Sequence, residues 1–554
     1  MKFVPENPLI VQADLSLLLE TMNPHFSEVR DALARFAELL KSPDYMHTWR
    51  VTPLSLWNAA AAGVTVDEVL GALDRWSRYD VPPSVPVSVR ETMARWGRLK
   101  LVREGATLLL VAEAPLLMTE IRGTRAVSSL LGRARDNRTS EVPTGERGVL
   151  KQVLLQHGHP VQDLAGYVDG DLLAVALRED GGPGWRLRDY QKNAVDAFHA
   201  EGGDSGGSGV IVLPCGAGKT IVGIAAMARV GMRTLILCTN VTSIHQWKRE
   251  ILEKSTLTSD EIGEYSGERK EIRPVTLATY QILTWRAKKD DPFVHFALFD
   301  QENWGLVIYD EVHLLPAPVF RAVAHLQARR RLGLTATLVR EDHKEGDVFA
   351  LIGPKKFDMP WKDLEGQGWI ATAVCTEVRL GMDDDVRLSY AMAEEKDRFR
   401  IASTNPAKQR TLTQLLERHR GDRVLIIGMY VEQLKDLAYE RNLPLITGET
   451  PHKEREERFE RFRVGLDPVL VISKVGNFAV DLPDANVAIQ ISGTWGSRQE
   501  EAQRLGRLLR PKPEQNTASF YTIITRDTVE QDFAERRQLF LTEQGYTYRI
   551  EMAE

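Results

Sequence analysis

The chain has 554 residues, which at about 150 residues per domain indicates several folded units and not one small binding module. Hydrophobic residues make up 43% of the chain and charged residues 27%, which argues against a disordered, collagen-like or coiled-coil protein. The 71 basic and 77 acidic side chains give a formal net charge of −6. Because this balance creates no overall basic field, any contact with nucleic acid must be made by local surfaces.

The three cysteines, Cys215, Cys238 and Cys375, are spaced neither as zinc ligands nor as a disulfide framework. The sequence therefore predicts a reducing, cytoplasmic compartment. Proline and glutamate interrupt the N-terminal segment, and no apolar run is long enough to cross a bilayer. We expect neither secretion nor a membrane span.

The first third of the chain mixes helical and strand patterns. Residues 1–125 combine amphipathic helical stretches with a short apolar run typical of a strand, and predict an N-terminal accessory domain. Residues 126–184 begin with a segment rich in Arg, Asn and Ser and continue with helical and apolar stretches. They predict a linker followed by a small α/β unit.

The rest of the chain alternates short β-branched runs with helical patterns, which is typical of parallel α/β sheets. One such series covers residues 185–375 and a second covers residues 406–554. Residues 376–405 between them are charged and helix-prone, as expected of a linker or an inserted helical element. The predicted fold class is α/β, with two tandem parallel-sheet domains behind N-terminal accessory α+β domains.

A candidate phosphate-binding loop, Leu213-Pro-Cys-Gly-Ala-Gly-Lys-Thr220, stands between a strand pattern and a helix pattern. Gly216 and Gly218, on either side of Ala217, let backbone N–H groups surround phosphate oxygens. Lys219 supplies a cation for the β- and γ-phosphates, and the Thr220 hydroxyl can ligate Mg²⁺. The motif predicts binding of ATP with Mg²⁺; a simple glycine-rich turn is the alternative.

Paired carboxylates follow the apolar strand pattern Leu306-Val-Ile-Tyr-Asp310-Glu311. Ligands of open parallel sheets bind at such strand ends. We expect Asp310 to hold Mg²⁺ and Glu311 to orient and deprotonate the attacking water. A solvated loop after a buried strand is the alternative, but the phosphate loop earlier in the chain favours catalysis.

A basic helical pattern, Gln503-Arg504-Leu-Gly-Arg507-Leu-Leu-Arg510, lies in the second series. Its arginines share one helix face. Arg507 and Arg510 are candidate arginine fingers that reach across a cleft and neutralise charge on the transferred phosphoryl group, with Gln503 beside them. The alternative is a solvated basic helix face.

The ordered motifs resemble superfamily 2 helicases, specifically the XPB family of DNA helicases, over about residues 185–550. The stretches that carry the resemblance are Leu187-Arg-Asp-Tyr-Gln191, the phosphate loop, Leu237-Cys-Thr-Asn-Val-Thr-Ser-Ile-His-Gln-Trp247, Thr279-Tyr-Gln281, Asp310-Glu-Val-His313, Leu334-Thr-Ala-Thr337, Ser473-Lys-Val-Gly476, Asp481-Leu-Pro-Asp484 and Glu501-Ala-Gln-Arg-Leu-Gly-Arg507. The resemblance implies two RecA-like motor domains. It also implies a thumb element between them, although residues 383–404 are short for one.

The resemblance implies further residue roles in ATP use. Arg188 and Gln191 are expected to hold the adenine, and Asp481 to lie in the interdomain cleft at the ATP. Thr335 and Thr337 are expected to couple the ATP state to the grip on DNA.

Other roles concern DNA. The family's charged triplet implicated in strand separation corresponds to Arg340, Glu341 and Asp342. Grip on the DNA backbone, which carries no sequence information, is expected from hydroxyls and backbone N–H groups. The candidate residues are Thr239, Ser243, Thr279, Ser473 and Lys474.

These observations together favour an ATP-dependent DNA helicase acting on single-stranded and forked duplex DNA. The resemblance implies 3′ to 5′ polarity, a role in DNA repair and a possible nuclease or repair-protein partner. Three alternatives remain at this point: a duplex translocase or ATP-driven switch in a repair or transcription complex, a non-catalytic DNA-binding scaffold, and an RNA helicase. No residue in the sequence is recognisable as reading a 2′-hydroxyl.

Overall fold

The computed structural model describes residues 2–553 apart from 42–44, 167–168, 179–185, 204–205, 215, 287, 289–293, 316–329, 337–344, 360–363, 366, 370, 474–484, 494–516 and 535–546. Contacts divide the chain into two compact units. The first comprises Met1–Leu39, Thr48–Pro214 and Gly218–Met359, and the second comprises Leu40–His47, Cys215–Ala217 and Pro360–Glu554.

The N-terminal segment forms a four-stranded sheet covered by four helices. Its strands, in the order β1-β2-β4-β3, are β1 (Leu9–Val11), β2 (Ser16–Glu20), β3 (Glu38–Lys41) and β4 (Met46–Arg50). The helices are α1 (Phe26–Ala34), α2 (Pro53–Ala61), α3 (Val66–Trp76) and α4 (Ser84–Met93). Thr52 and Thr65 cap α2 and α3 with their side chains, which fixes where these helices begin. Leu9, Leu17 and Leu73 lie in the shared core.

A second four-stranded sheet follows, in the order β7-β6-β5-β8. Its elements are β5 (Leu99–Glu104), β6 (Thr107–Ala112), α5 (Pro115–Gly123), α6 (Arg125–Ser128), β7 (Thr139–Val142), α7 (Arg147–Gln156) and β8 (Val161–Asp163). Strands β5 and β6 precede the expected boundary at residue 125, whereas β7 and β8 follow it, and all four share one core. A boundary there would divide this sheet, so we propose to place it between Met93 and Leu99.

The third sheet has seven parallel strands in the order β11-β12-β10-β13-β14-β9-β15. They are β9 (Ser208–Val212), β10 (Thr234–Cys238), β11 (Ile262–Tyr265), β12 (Val275–Thr279), β13 (Leu306–Asp310), β14 (Arg330–Thr335) and β15 (Lys355–Asp358). The associated helices are α8 (Asp189–His199), α9 (Lys219–Val230), α10 (Val241–Lys254), α11 (Tyr280–Leu283), α12 (Leu298–Gln301) and α13 (Glu345–Leu351). Strands β10, β12 and β13 are buried along nearly their whole length, because helices cover both faces of a parallel sheet.

The fourth sheet also has seven parallel strands, in the order β18-β19-β17-β20-β21-β16-β22. They are β16 (Thr372–Leu380), β17 (Val424–Gly428), β18 (Leu445–Ile446), β19 (Val469–Ser473), β20 (Val487–Gln490), β21 (Thr517–Thr525) and β22 (Thr547–Met552). Its helices are α14 (Asp384–Met392), α15 (Glu395–Ser403), α16 (Lys408–Arg418), α17 (Val431–Arg441) and α18 (His452–Arg463). The two parallel sheets confirm the predicted fold class.

Residues 376–405, for which the sequence predicts a linker or an inserted helical element, contain the end of a strand followed by two helices. Strand β16 begins at Thr372 and pairs with β21 and β22, so its residues belong to the second parallel sheet. Only α14 and α15 remain as an inserted helical pair, and α14 has no buried side chain. We propose that the second parallel-sheet domain begins at β16.

Two buried ion clusters hold neighbouring elements together. Arg147 of α7 makes a bidentate contact with Asp163 of β8, with distances of 2.7 and 3.0 Å, and Lys151 Nζ lies 2.9 Å from the same carboxylate. In the second unit, Lys408 Nζ lies 2.6 Å from Glu530 Oε1. Removing one partner from a buried pair leaves an uncompensated charge, so both clusters matter for stability.

Cys238 and Cys375 are buried free thiols, and Cys215 lies outside the described residues. Across the described ranges, no helix has both the length and the apolar composition needed to cross a membrane.

Candidate nucleotide-binding and catalytic site

The phosphate loop connects β9 to α9 as the sequence predicted. Gly216 and Gly218 have φ values of +81° and +82°, a region that glycine adopts without steric cost. Lys219 is the first residue of α9, and Thr220 follows it. The first turn of this helix therefore directs backbone N–H groups and a cation to the position where a phosphate could bind.

The predicted adenine residues lie against this loop. A Cβ atom added at Gly218 would be 2.6 Å from Nε2 of Gln191. The glycine therefore permits both the backbone turn and the close approach of the Gln191 side chain to the loop. Oε1 of Gln191 accepts a hydrogen bond of 3.0 Å from the backbone N–H of Arg188. The Arg188 guanidinium donates to the hydroxyl of Tyr190 at 3.1 Å. The structure thus brings Gln191 to the phosphate loop, whereas the described contacts of Arg188 are to Gln191 and Tyr190.

Asp310 is the last residue of β13, at the carboxyl edge of the sheet. Its Oδ2 accepts a hydrogen bond of 3.0 Å from Nε1 of Trp247, and its backbone carbonyl accepts one of 2.9 Å from the hydroxyl of Tyr280. Burial, with the charge of Glu311 beside it, raises the pKa of Asp310 to about 6. A nearby cation such as Mg²⁺ would favour the ionised carboxylate.

Glu311 follows in a left-handed backbone conformation, with φ of +49°. Its Oε1 lies 3.2 Å from Nζ of Lys219. Burial opposes its ionisation, but the charges of Lys219 and His313 outweigh that effect and lower the pKa of Glu311. Its Oε2 is buried and has no hydrogen-bond partner among the described residues. An ionised carboxylate whose second oxygen makes no hydrogen bond within the described chain can orient a water molecule and accept its proton.

Thr335 and His313 connect the next strand to this carboxylate. Thr335 ends β14, and its hydroxyl lies 2.6 Å from Nδ1 of His313. The same ring nitrogen lies 3.5 Å from Oε2 of Glu311. The backbone carbonyl of Thr335 also accepts a hydrogen bond of 2.9 Å from the N–H of Leu213, at the start of the phosphate loop. Thr335 therefore contacts both halves of the site.

Three residues expected at DNA lie at neighbouring strand ends in the same sheet. Thr239 follows β10, and its hydroxyl lies 3.2 Å from that of Ser243 in the first turn of α10. Thr279 ends β12, pairs in register with Cys238 and caps α11 through its side chain. The Thr279 side chain is buried and caps a helix, and the Thr239 and Ser243 hydroxyls are hydrogen-bonded to the side chain of Asn240 at 3.0 and 3.2 Å.

Ser473 ends β19 in the second unit and is buried. Its hydroxyl has no hydrogen-bond partner within the described chain. The remaining predicted site residues lie outside the described residues, so their roles stay predictions: Thr337, Arg340, Glu341, Asp342, Lys474, Asp481, Gln503, Arg507 and Arg510.

The structure adds three residues that sequence reasoning did not include among the site residues. His313 links Thr335 to Glu311, Trp247 holds the carboxylate of Asp310, and Tyr280 holds its backbone. All three belong to motif stretches at strand ends, which was the available signal. Their partners are distant in sequence, so the contacts themselves could not be read from the motifs.

A glycine-rich phosphate loop after β9, a carboxylate pair at the end of β13, two strands away, and a parallel α/β sheet define a P-loop nucleoside triphosphate hydrolase. Three family models match the chain. The type III restriction enzyme, res subunit, matches residues 185–340, and the ERCC3/RAD25/XPB C-terminal helicase matches residues 364–553. The helicase conserved C-terminal domain matches residues 9–136.

The chain is similar to relatives over nearly its whole length. It is 55% identical to the DNA 3′-5′ helicase XPB of Kineococcus radiotolerans, covering 98% of this chain and 96% of that one. It is 52% identical to the protein of the same name in Mycobacterium tuberculosis, covering 99% and 98%. It is 34% identical to the general transcription and DNA repair factor IIH helicase/translocase subunit XPB of Antonospora locustae, covering 98% and 81%. The chain belongs to the XPB family of DNA helicases, which confirms the resemblance seen in the motifs.

Proposed function

We propose that the chain is an ATP-dependent DNA helicase that moves 3′ to 5′ and separates strands in DNA repair. The observation that supports it most is the Glu311 carboxylate, whose one oxygen contacts Lys219 at 3.2 Å while the other is buried without a hydrogen bond. This is the arrangement that phosphoryl transfer to water needs, because the reaction depends on an aligned nucleophile and on charge stabilisation.

The residues fit ATP with Mg²⁺. Gly216, Ala217 and Gly218 would supply the backbone of the phosphate cradle, and Lys219, the first residue of α9, would hold the β- and γ-phosphates. Thr220 and Asp310 are oxygen donors of the kind that Mg²⁺ prefers. When bound, the ion would neutralise phosphate charge. Gln191 and Arg188, beside the loop, would contact the adenine.

Each protein group then has a distinct task. Lys219 holds the phosphates and keeps Glu311 ionised through its charge. Glu311 orients the water and takes its proton, while Trp247 and Tyr280 fix the position of Asp310. His313 and Thr335 fix the orientation of Glu311 from the neighbouring strand.

The second motor domain contributes through residues assigned from its motifs. We propose that Gln503, Arg507 and Arg510 act on the transferred phosphoryl group and that Asp481 acts at the nucleotide. Guanidinium groups suit this task because they remain charged and bind phosphate oxygens in pairs. Thr337 is proposed to couple ATP hydrolysis to DNA movement together with Thr335.

The residues proposed to contact DNA are also assigned from the motifs. Thr239, Ser243, Thr279, Ser473 and Lys474 are proposed to hold the DNA backbone, which positions the protein without reading sequence. Arg340, Glu341 and Asp342 are proposed to act in strand separation. The substrates are single-stranded and forked duplex DNA, and a nuclease or repair protein as partner stays a prediction.

ATP turnover of the purified full chain without nucleic acid, with DNA and with RNA tests the core of this proposal. We expect strong stimulation by DNA and little by RNA. A forked duplex with a 3′ single-stranded tail should be unwound, and one with only a 5′ tail should not. Stimulation by RNA alone would make the chain an RNA helicase, and unwinding that requires a 5′ tail would contradict the polarity.

A duplex translocase is the second candidate, because the relative from Antonospora locustae is named a helicase/translocase subunit. A translocase would displace a triplex-forming strand from duplex DNA while leaving forked duplexes mostly intact. The same preparation can be tested in both assays. Displacement of the third strand without unwinding would favour the translocase.

A further inference from the structure

A group of aromatic side chains lies at the carboxyl edge of the first parallel sheet, beyond the strands that carry the proposed DNA contacts. Strand β11 is at this end of the sheet and pairs with β12, with Tyr265 opposite Ala278. Thr279 follows directly on β12, and Thr239 follows β10, the next strand. The last residue of β11, Tyr265, therefore continues the row of strand ends begun by Thr239 and Thr279.

We define the edge cluster as Tyr265, Lys270, Trp285 and His295. The Tyr265 hydroxyl and Nδ1 of His295 are 2.9 Å apart, and their ring centroids are 5.6 Å apart. The rings of His295 and Trp285 are 6.0 Å apart. Lys270 Nζ lies 5.2 Å from the centre of the Tyr265 ring. The cluster is thus a continuous series of rings with a cation at one end.

Trp285 is the exposed end of this series. It comes directly after α11 and the turn residue Thr284, six positions after Thr279, and 51% of its surface is exposed. Tyr265 at the other end is 9% exposed. The ring of His295 lies between them: it contacts the Trp285 ring on one side, and its Nδ1 is 2.9 Å from the hydroxyl of the buried tyrosine.

The charge around the cluster suits a polyanion. The segment 264–288 carries five basic residues against three acidic ones: Arg269, Lys270, Arg273, Arg286 and Lys288 against Glu264, Glu268 and Glu271. Of the acidic side chains, Glu264 is buried and accepts a hydrogen bond from Ser266. The whole chain has a formal charge of −6, so this local excess of positive charge is contrary to the overall balance.

We propose that Trp285 stacks on a base of single-stranded DNA and that Lys270 lies beside the phosphate backbone at the same place. A strand held at Thr239 and Thr279 would reach the edge cluster next along the row of strand ends. Stacking on an aromatic ring accepts every base, so it suits a protein that moves along any sequence. This inference rests on the proposed DNA helicase function.

A single exposed tryptophan is not unusual on a protein surface. Trp285 differs in two respects: it lies six positions after the proposed backbone contact Thr279, and its ring belongs to a series with His295 and Tyr265 whose far end contacts Lys270. An aromatic face with neighbouring cations is the combination that single-strand binding proteins use.

The test compares two oligonucleotides of equal length, one of thymidines and one in which the bases are replaced by abasic sites. Binding of each to the full chain is measured by fluorescence anisotropy at fixed salt. Base stacking of the expected strength makes Trp285→Ala bind the thymidine strand about tenfold more weakly. Binding of the abasic strand should be unchanged, and Trp285→Phe should retain most of the affinity because a ring remains.

Tyr439→Ala is the matched control, because Tyr439 is an 88% exposed aromatic residue on α17 in the second unit. ATP turnover without DNA should be the same in all variants, which shows that they are folded. If Trp285→Ala binds both strands equally more weakly, the proposal is overturned. It is also overturned if neither strand is bound more weakly, which is the result expected if Trp285 binds a protein instead. Should wild-type ATP turnover not respond to DNA, the helicase proposal fails, while the comparison of the two strands still tests stacking.

Discussion

The hydroxyl of Thr335 and the ring of His313 are 2.6 Å apart, and both side chains are buried. His313 lies 3.5 Å from Glu311, which in turn lies 3.2 Å from Lys219. A displacement of β14 would therefore reach Glu311, the proposed catalytic carboxylate, through one intervening ring. The same strand end also holds the start of the phosphate loop through a backbone hydrogen bond.

Replacing Thr335 with Val tests this connection. The substitution keeps the branched shape and removes the hydroxyl, so His313 loses a partner at a cost of about 1 kcal/mol. We expect DNA-stimulated ATP turnover to fall about tenfold, because Glu311 is less well oriented and one tenth of the rate corresponds to about 1.4 kcal/mol. Steady-state phosphate release with and without DNA measures the effect. An unchanged DNA-stimulated rate would contradict a role for this contact.

Lys219→Ala removes the cation that we propose holds the phosphates, and with it the charge that lowers the pKa of Glu311. Losing a positioned charge at a phosphoryl-transfer site costs a factor of about 10² to 10³ in turnover. We expect DNA-stimulated ATP turnover to fall by that amount. Lys192→Ala is the matched control, since Lys192 is an exposed lysine on α8 whose contact with Asp189 is 3.7 Å. Equal activity of the two variants would show that the phosphate site is assigned wrongly.

The parallel sheets and the phosphate loop could be predicted because they depend on local patterns. Short buried β-branched runs specify strands, and Gly216 and Gly218 mark a turn that needs positive φ. The order of the motifs was sufficient to identify the family. These features require no knowledge of which distant residues meet.

The features that were not predicted depend on pairing between distant segments. The approach of Gln191 to Gly218 and the contact of His313 with Thr335 exist only once the strands are ordered in the sheet. In the same way, β16 follows the first motor domain in sequence yet pairs with β21, more than a hundred residues later. Strand partners of this kind leave no mark in local hydrophobic spacing.

The Asp163 carboxylate is predicted to be the critical member of its buried cluster. Asp163→Asn leaves Arg147 and Lys151 buried without a counter-charge, and breaking such a cluster costs about 3–5 kcal/mol. Lys151→Met should cost much less, because Asp163 keeps its bidentate arginine and burial already lowers the pKa of Lys151 to about 8. The destabilisation caused by each variant is measured by thermal unfolding of the first unit and by hydrogen exchange in β5 and β8.

Asp67→Asn is the control for loss of a carboxylate, since Asp67 is exposed and lies 3.9 Å from Arg90. An exposed pair of this kind contributes at most about 1 kcal/mol. If Lys151→Met destabilised the protein as much as Asp163→Asn does, the prediction that Asp163 is the critical member of the cluster would be wrong.

The same cluster predicts a dependence of stability on acid pH. Burial opposes ionisation of Asp163, but the charges of Lys151 and Arg147 outweigh it and hold the pKa of that carboxyl well below its usual range. The folded-state pKa is therefore below the unfolded value of about 3.9. The stabilisation is complete above about pH 4 and is lost as the pH falls towards the folded-state pKa. Unfolding measured between pH 7 and pH 3 should show a steeper acid loss in the wild type than in Asp163→Asn, and parallel curves would refute this linkage.

Glu530 is predicted to stabilise the second unit through three elements at once. Its Oε1 accepts from Lys408 Nζ at 2.6 Å and from the Ser403 hydroxyl at 3.2 Å, and its Oε2 accepts from the backbone N–H of Thr525 at 2.9 Å. These partners belong to α16, α15 and β21. Glu530→Gln removes the negative charge from a fully buried pair, so we expect a loss of about 3–5 kcal/mol in the free energy of unfolding of this unit.

Hydrogen exchange locates the effect of Glu530→Gln. Protection should fall in α15, α16 and β21 and stay constant in β9 to β14 of the first parallel sheet. Glu432→Gln is the matched control, because Glu432 is 84% exposed and contacts Lys435 at 3.2 Å. Combining Lys408→Met with Glu530→Leu should restore much of the lost stability, since no buried charge then remains without its partner. A double variant less stable than Glu530→Gln alone would mean that the hydrogen bonds to Ser403 and Thr525, and not charge compensation, dominate at this position.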